Sequence, residues 1–136
     1  MSALVAVVDD EPRIRELLAL ELEELGAEVL RCADGGELLA EPRLDYVDVV
    51  LLDWVMSGLD GPATLRALRN RCFQAPVIVV TALSDPQVNN RAIQEGAAGI
   101  TLKTSILDLL PLLLNRGEKT VASVLERGWS ETWAKP

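Results

Sequence analysis

A chain of 136 residues, 49% apolar and 25% charged, has room for one hydrophobic core and the composition to fold around it. Its 13 basic against 21 acidic residues leave a net charge of −8, which repels nucleic acid and argues against direct binding of DNA or RNA by this chain. The absence of histidine removes Ser-His and Cys-His catalysis and leaves a zinc site short of ligands.

The first residues, Met1-Ser2-Ala3, have neither the charge nor the apolar run of a secretion signal, and no stretch approaches the ~18 apolar residues of a membrane span. Cys32 and Cys72 lie far apart without metal-ligand spacing and read as core-filling thiols of a reducing compartment. The expectation is a cytoplasmic protein with no membrane contact.

In chain order, Leu4–Val8 is a Val-rich apolar run cut off by acids, a buried strand. Asp10 can cap the helix that follows, Pro12 suits its first turn, and Ile14, Leu17, Leu18, Leu22 and Leu25 set its apolar stripe up to Gly26. Glu28–Cys32 is a second, weaker strand, followed by a short helical stretch around Gly36–Ala40 that Pro42 stops. Val47–Leu52 is the clearest buried strand, with Asp53 at its end. Pro62 opens a helix to about Asn70, and Val77–Val80 is a strand ending at Thr81. Ser84 or Asp85 caps a helix opened by Pro86 and closed by Gly96. Gly99–Leu102 is a short strand, then come Lys103 and a leucine-rich helix from about Ser105.

Strand and helix alternate five times, which implies a parallel sheet covered on both faces. Five units are too few for a closed eight-stranded barrel, so the fold class is α/β, a doubly wound (βα)5 flavodoxin-like open sheet. In the order 2-1-3-4-5, strands one, three and four are neighbours and ligands gather at their carboxyl ends. There the sequence places Asp9 and Asp10 after strand one, Asp53 after strand three, Thr81 after strand four and Lys103 after strand five.

Three clustered carboxylates need a proton or a cation among them, and an all-oxygen site with open positions suits Mg²⁺. One carboxylate can then act as a nucleophile toward phosphorus, with the Thr81 hydroxyl and the Lys103 ammonium receiving phosphoryl oxygens. Taken singly, each residue has a plainer role: Asp10 a helix cap, Asp53 a turn residue, Thr81 a strand residue, Lys103 an exposed lysine. The plainer roles give no reason for all of them to meet at one sheet edge.

The runs Val7-Val8-Asp9-Asp10-Glu11-Pro12, Asp53-Trp54-Val55-Met56-Ser57-Gly58-Leu59-Asp60-Gly61, Val79-Val80-Thr81-Ala82, Gly96-Ala97 and Lys103 resemble the response-regulator receiver family of two-component signalling, over residues 4 to about 115. The resemblance implies that Asp53 accepts a phosphoryl group from a phosphohistidine on a sensor histidine kinase or phosphotransfer protein. It implies that Asp9, Asp10, Asp53 and the backbone carbonyl of Val55 hold Mg²⁺, Asp9 through water, while Thr81 and Lys103 engage the phosphoryl group. It further implies a signalling module rather than an enzyme, limited to its own phosphorylation and slow dephosphorylation. Its fourth helix, fifth strand and fifth helix would form the switching face toward a downstream protein or effector domain.

Three positions depart from the family pattern: Ser57 and Thr104 stand where proline is usual, and Ile100 where a Tyr or Phe swings with Thr81. They touch the readout, not the phosphorylation chemistry. A Mg²⁺-dependent phosphohydrolase would use the same carboxylates, but Val55 occupies the place of its leaving-group acid. Val55 and Leu83, two residues past Asp53 and Thr81, are apolar at positions where polar side chains orient a hydrolytic water, which favours a long-lived phosphorylated state.

Residues 1–116 read as the receiver and 117–136 as a C-terminal helical extension or linker, so the chain is either a stand-alone regulator or the receiver portion of a longer DNA-binding transcriptional regulator. Seven of the nine residues from Ile106 to Leu114 are Ile or Leu, so that helix must be covered on every side. Val121, Leu125, Trp129 and Trp133 recur every four residues and would cover its outer face, within one subunit or across a homodimer.

Overall fold

The computed structural model describes residues 2–82 and 84–114. Its elements are β1 (Leu4–Val8), α1 (Pro12–Glu24), β2 (Glu28–Cys32), α2 (Gly35–Leu39), a 3-10 turn (Leu44–Tyr46), β3 (Val49–Asp53), α3 (Gly61–Asn70), β4 (Val77–Thr81), α4 (Pro86–Gln94), β5 (Gly99–Leu102) and α5 (Ile106–Leu114). The five strands are all parallel, in the order β2-β1-β3-β4-β5. Among the described residues no helix is long and apolar enough to cross a membrane.

The three central strands are apolar along their length because both faces are covered. Ala6, Val8, Val50, Leu52 and Val79 pack with Leu38, Leu65, Leu68 and Ala92 from α2, α3 and α4. The alternate residues Val5, Val7, Val49, Leu51, Ile78 and Val80 pack with Leu18 and Leu22 of α1 and Ile106, Leu109, Leu110 and Leu113 of α5. β2, at the sheet edge, is buried only at Leu30 and Cys32 and leaves Glu28 and Arg31 exposed. Its Arg31 bridges Glu16 and Glu23 of α1.

Aspartates start three of the helices by accepting orphan backbone N–H groups: Asp34 from Glu37 at 2.9 Å, Asp60 from Ala63 at 3.1 Å and Asp85 from Gln87 at 2.9 Å. α1 is different. Its N-cap is Glu11, whose side chain makes no cap bond, and Asp10 is turned toward the β3–α3 loop instead. Gly26 (φ 96°) and Gly96 (φ 102°) close α1 and α4 in the left-handed region that glycine adopts without strain. α4 is thinly packed, with Ala92 its one buried residue, and Glu95 just past its end binds Arg66 and Arg69 of α3 at 2.9 and 3.6 Å.

Besides the cap of α1, two expectations from the sequence do not hold. Leu17 and Leu25 are 43% and 45% exposed, because α1 meets the sheet through Leu18, Ala19 and Leu22 and carries more leucines than that face accepts. Cys72 is exposed and closes α3 at φ 58°, so only Cys32 fills the core. In α5, Leu107 and Leu112 remain 38% and 46% exposed among the described residues. The segment expected to cover them, 117–136, lies outside the described residues.

Thr101 on β5 pairs with Val80 and is 1% exposed, and its hydroxyl has no hydrogen-bond partner among the described residues. A buried, unsatisfied polar group costs ~1–3 kcal/mol, whereas valine fills the same volume and suits a strand. Thr101→Val should therefore raise the free energy of unfolding by about 1 kcal/mol or more, read as a higher urea midpoint at unchanged m value. An unchanged or lower midpoint contradicts the assignment of a wasted hydroxyl.

Candidate functional site

The parallel register aligns the polar residues at one edge. Val8 pairs with Leu52, so the next residues, Asp9 and Asp53, emerge side by side. The sheet hydrogen bonding runs on past the strands: Asp9 N–H donates to Cys32 O at 3.1 Å, Trp54 N–H to Val80 O at 3.3 Å and Lys103 N–H to Thr81 O at 2.8 Å. Asp9 is held further, its Oδ1 accepting from Glu11 N–H at 2.9 Å and its carbonyl from Arg15 Nη1 at 2.7 Å.

Asp9 and Asp53 are 2% and 4% exposed, and Thr81 at the end of β4 is 8% exposed. The Lys103 ammonium lies 3.3 Å from Asp9 Oδ2 and 3.4 Å from Asp53 Oδ2, one cation between two buried carboxylates. Asp10 is half-buried, and one oxygen each of Asp9, Asp10 and Asp53 lie within 4.8 Å of one another. Val55 is 76% exposed at the rim, while Leu83, its expected companion, lies outside the described residues.

Burial pushes the Asp53 carboxyl up to about 7, the charge of Asp9 adds to that, and Lys103 pulls it back. Burial also opposes the charge of Lys103, but Asp53 and Asp9 beside it outweigh that and hold its pKa above the usual lysine range. Asp10 is held below the usual carboxylate range, chiefly by the backbone N–H of Ser57. Three acids facing one lysine leave uncompensated negative charge on hard oxygen donors, and such a donor set fits a divalent cation.

Sequence reasoning named Asp9, Asp10, Asp53, Thr81 and Lys103, and all five fall at this edge. It assigned Ser57 to the readout alone, but the Ser57 backbone N–H and hydroxyl both donate to Asp10 Oδ2 in the acidic cluster, at 2.9 and 3.2 Å. The signal was present in the sequence, since only a residue other than proline has that N–H to give. It also passed over Arg15, which needed the turn geometry after β1 to be seen.

Residues 5–114 match the family model described as the response regulator receiver domain. A probable transcriptional regulator, ycf27, of Porphyridium aerugineum is 32% identical over 123 residues, covering 90% of this chain and 48% of that protein. A probable transcriptional regulatory protein, NarL, of Mycobacterium tuberculosis is 36% identical over 103 residues, covering 74% of this chain and 48% of its own length. The chain thus spans about half the length of these relatives. Among solved structures, the receiver domain of the Francisella response regulator 1452 superposes with a TM-score of 0.78 at 29% identity, covering 87% of this chain and 98% of that one. The receiver domain of the M. tuberculosis NarL superposes at 0.73, also at 29% identity, covering 93% and 98%.

The raised Asp53 pKa has a thermodynamic consequence. In the unfolded chain this group titrates near 3.8 and in the folded chain at about 7, so between these values only the folded state binds the proton. The stability that Asp53 contributes is full below the unfolded value and is lost as pH rises through the folded one. In the presence of a chelator, Asp53→Asn should therefore gain melting temperature over wild type as pH rises from about 4 to 7 and hold that gain above. A constant difference across that range would mean that Asp53 titrates normally.

Proposed function

The chain belongs to the response regulator receiver domain family, and on that premise we propose that it receives a phosphoryl group on Asp53 from a sensor histidine kinase or phosphotransfer protein, with Mg²⁺ as the cofactor. The single observation that carries this reading is the meeting of Asp53 with Asp9 and Lys103 at the end of β3. In the transfer, an Asp53 carboxylate oxygen bonds to phosphorus as the phosphorus–nitrogen bond of the donor's phosphohistidine breaks; the donor ring, protonated on its other nitrogen, keeps that electron pair and leaves as neutral imidazole. Asp53 must be ionised to attack, and Lys103 favours that form against burial.

Asp9, Asp10, Asp53 and the Val55 carbonyl would hold the Mg²⁺, which when bound neutralises charge on the carboxylates and on the incoming phosphoryl oxygens. Lys103 would pair with one phosphoryl oxygen as a point charge, and Thr81 would donate its hydroxyl to another. The consequence would be a change in the face made by α4, β5 and α5, toward a downstream protein or effector domain. Ile100 is 3% exposed and packs in the core on the α4 side, so that change would proceed by repacking of aliphatic residues instead of an aromatic swing.

The half-length match to transcriptional regulators favours a second reading, in which these residues are the receiver portion of a DNA-binding regulator. DNA contact would then belong to another segment, since this chain carries a net charge of −8. Residues 1–116 would be the receiver and 117–136 an extension or linker. A cytoplasmic setting, and a homodimer through α5 and the extension, accord with either reading. A phosphohydrolase is disfavoured, because the place of its leaving-group acid is taken by the exposed, apolar Val55.

Two measurements test the chemistry. Acetyl phosphate with Mg²⁺ should add one phosphoryl group to the intact mass of wild type and none to Asp53→Asn; equal labelling of the variant refutes the assignment. After donor removal, Val55→Asn should lose the phosphoryl group several-fold faster than wild type, since an amide at the rim can orient an attacking water and valine cannot. Equal or slower decay would mean that this side chain does not govern the water.

A further inference from the structure

We propose that Ser57 is a positioning residue for the cation. It takes one oxygen of Asp10 out of competition and presents the other to the metal. This inference rests on the reading of the acidic cluster as a Mg²⁺ site.

Asp10 differs from its two neighbours in how it is held. Asp9 is buried, tied to the ladder through Cys32 O and to the start of α1 through Glu11 N–H. Asp53 is buried and shares Lys103 with Asp9. Asp10 follows β1 and is half-buried, and what binds its side chain comes from a loop 47 residues away. Both donors belong to Ser57 and both fall on the same oxygen, Oδ2: the backbone N–H at 2.9 Å and the hydroxyl at 3.2 Å. A carboxylate so engaged keeps its other oxygen for a further partner and has a fixed plane in which to offer it.

The loop that delivers these donors is itself fixed. Trp54 and Met56 are buried in the core on the α3 side, and Gly61 N–H donates to Trp54 O at 3.1 Å. At Gly58 (φ 75°) a Cβ would lie 2.7 Å from Asp34 Oδ2, so the chain passes close over the start of α2. Ser57 sits between these anchors with its side chain exposed and its N–H directed back across the cleft. Proline, the residue usual here in the family, has neither donor, so this tie belongs to the present sequence. Without it, a half-exposed aspartate must give up its rotamer freedom when it meets the cation, and loss of such outer-shell partners typically weakens metal binding by about 10–100-fold.

The experiment is calorimetric titration of the unphosphorylated protein with MgCl₂, in wild type and in Ser57→Thr, Ser57→Ala and Ser57→Pro, with the urea midpoint of each as a check on folding. Threonine keeps both donors and should bind within about twofold of wild type. Alanine keeps the N–H and should weaken binding about threefold, and proline, which keeps neither, by about tenfold or more. Ser57→Ala alone carries the test if the proline variant fails to fold. Binding by wild type with equal or tighter binding by the alanine and proline variants overturns the role of Ser57 and leaves the cation site standing. No saturable binding by wild type overturns both.

Discussion

Two carboxylates, Asp9 and Asp53, are buried side by side with one ammonium, Lys103, between them. This is an arrangement that a protein interior resists, since burial disfavours each charge and the two acids repel. It persists because the surrounding sheet leaves the groups no alternative. The strands that carry them are central, apolar on both faces and locked in register, so their ends emerge together whatever the cost to the side chains. The apolar layers on either side of the sheet supply the stability against which that cost is set. Fold and site are thus one construction, with the order of the strands deciding which charges meet.

The parts of this construction legible in the sequence were those that the backbone dictates. Runs such as Val-Asp-Val-Val-Leu-Leu before Asp53, and the punctuation by Pro12, Gly26, Pro86 and Gly96, mark buried strands and helix ends through local chemistry alone. From these follow the five strand–helix units and the position of each polar residue at a strand end, while the order 2-1-3-4-5 came from the fold class. What could not be read depends on which way a side chain turns. Asp10 carries the marks of a helix cap, yet a donor 47 residues away claims its carboxylate. Leu17 and Leu25 fit the period of the buried stripe, yet Ala19 holds the place against the sheet, because a helix laid on a twisted surface buries a narrower face than its leucines suggest. Cys72 shows how a residue type misleads: its position demands a left-handed turn, and that demand outweighs a preference for burial.

The side of the molecule away from β2 is built with less redundancy. α4 buries Ala92 and little else, and its far end is fastened by Glu95 to Arg66 and Arg69 of α3. Ion pairs of this kind, formed by half-exposed arginines, contribute little net stability. An element held by a buried alanine, the half-buried Val88 and a few surface charges sits at the low end of the local stability scale, where rearrangement costs least. Ile100 beneath it is an aliphatic side chain with no ring to swing, so any shift of this region must be shared among several contacts.

The continuation of the ladder past the strand ends also sets how the site opens. The amides of Asp9, Trp54 and Lys103 donate to Cys32, Val80 and Thr81 on neighbouring strands, so the reactive edge is the rim of the sheet, not a loop laid over it. Hydrogen exchange at these amides should therefore require the neighbouring strand ends to part. The spacing of Asp9 and Asp53 therefore depends on the sheet, while that of Asp10 depends on the loop that carries Ser57. Changes in the length or sequence of a helix or surface loop can thus be absorbed without moving Asp9 and Asp53, whose separation is set by strand pairing.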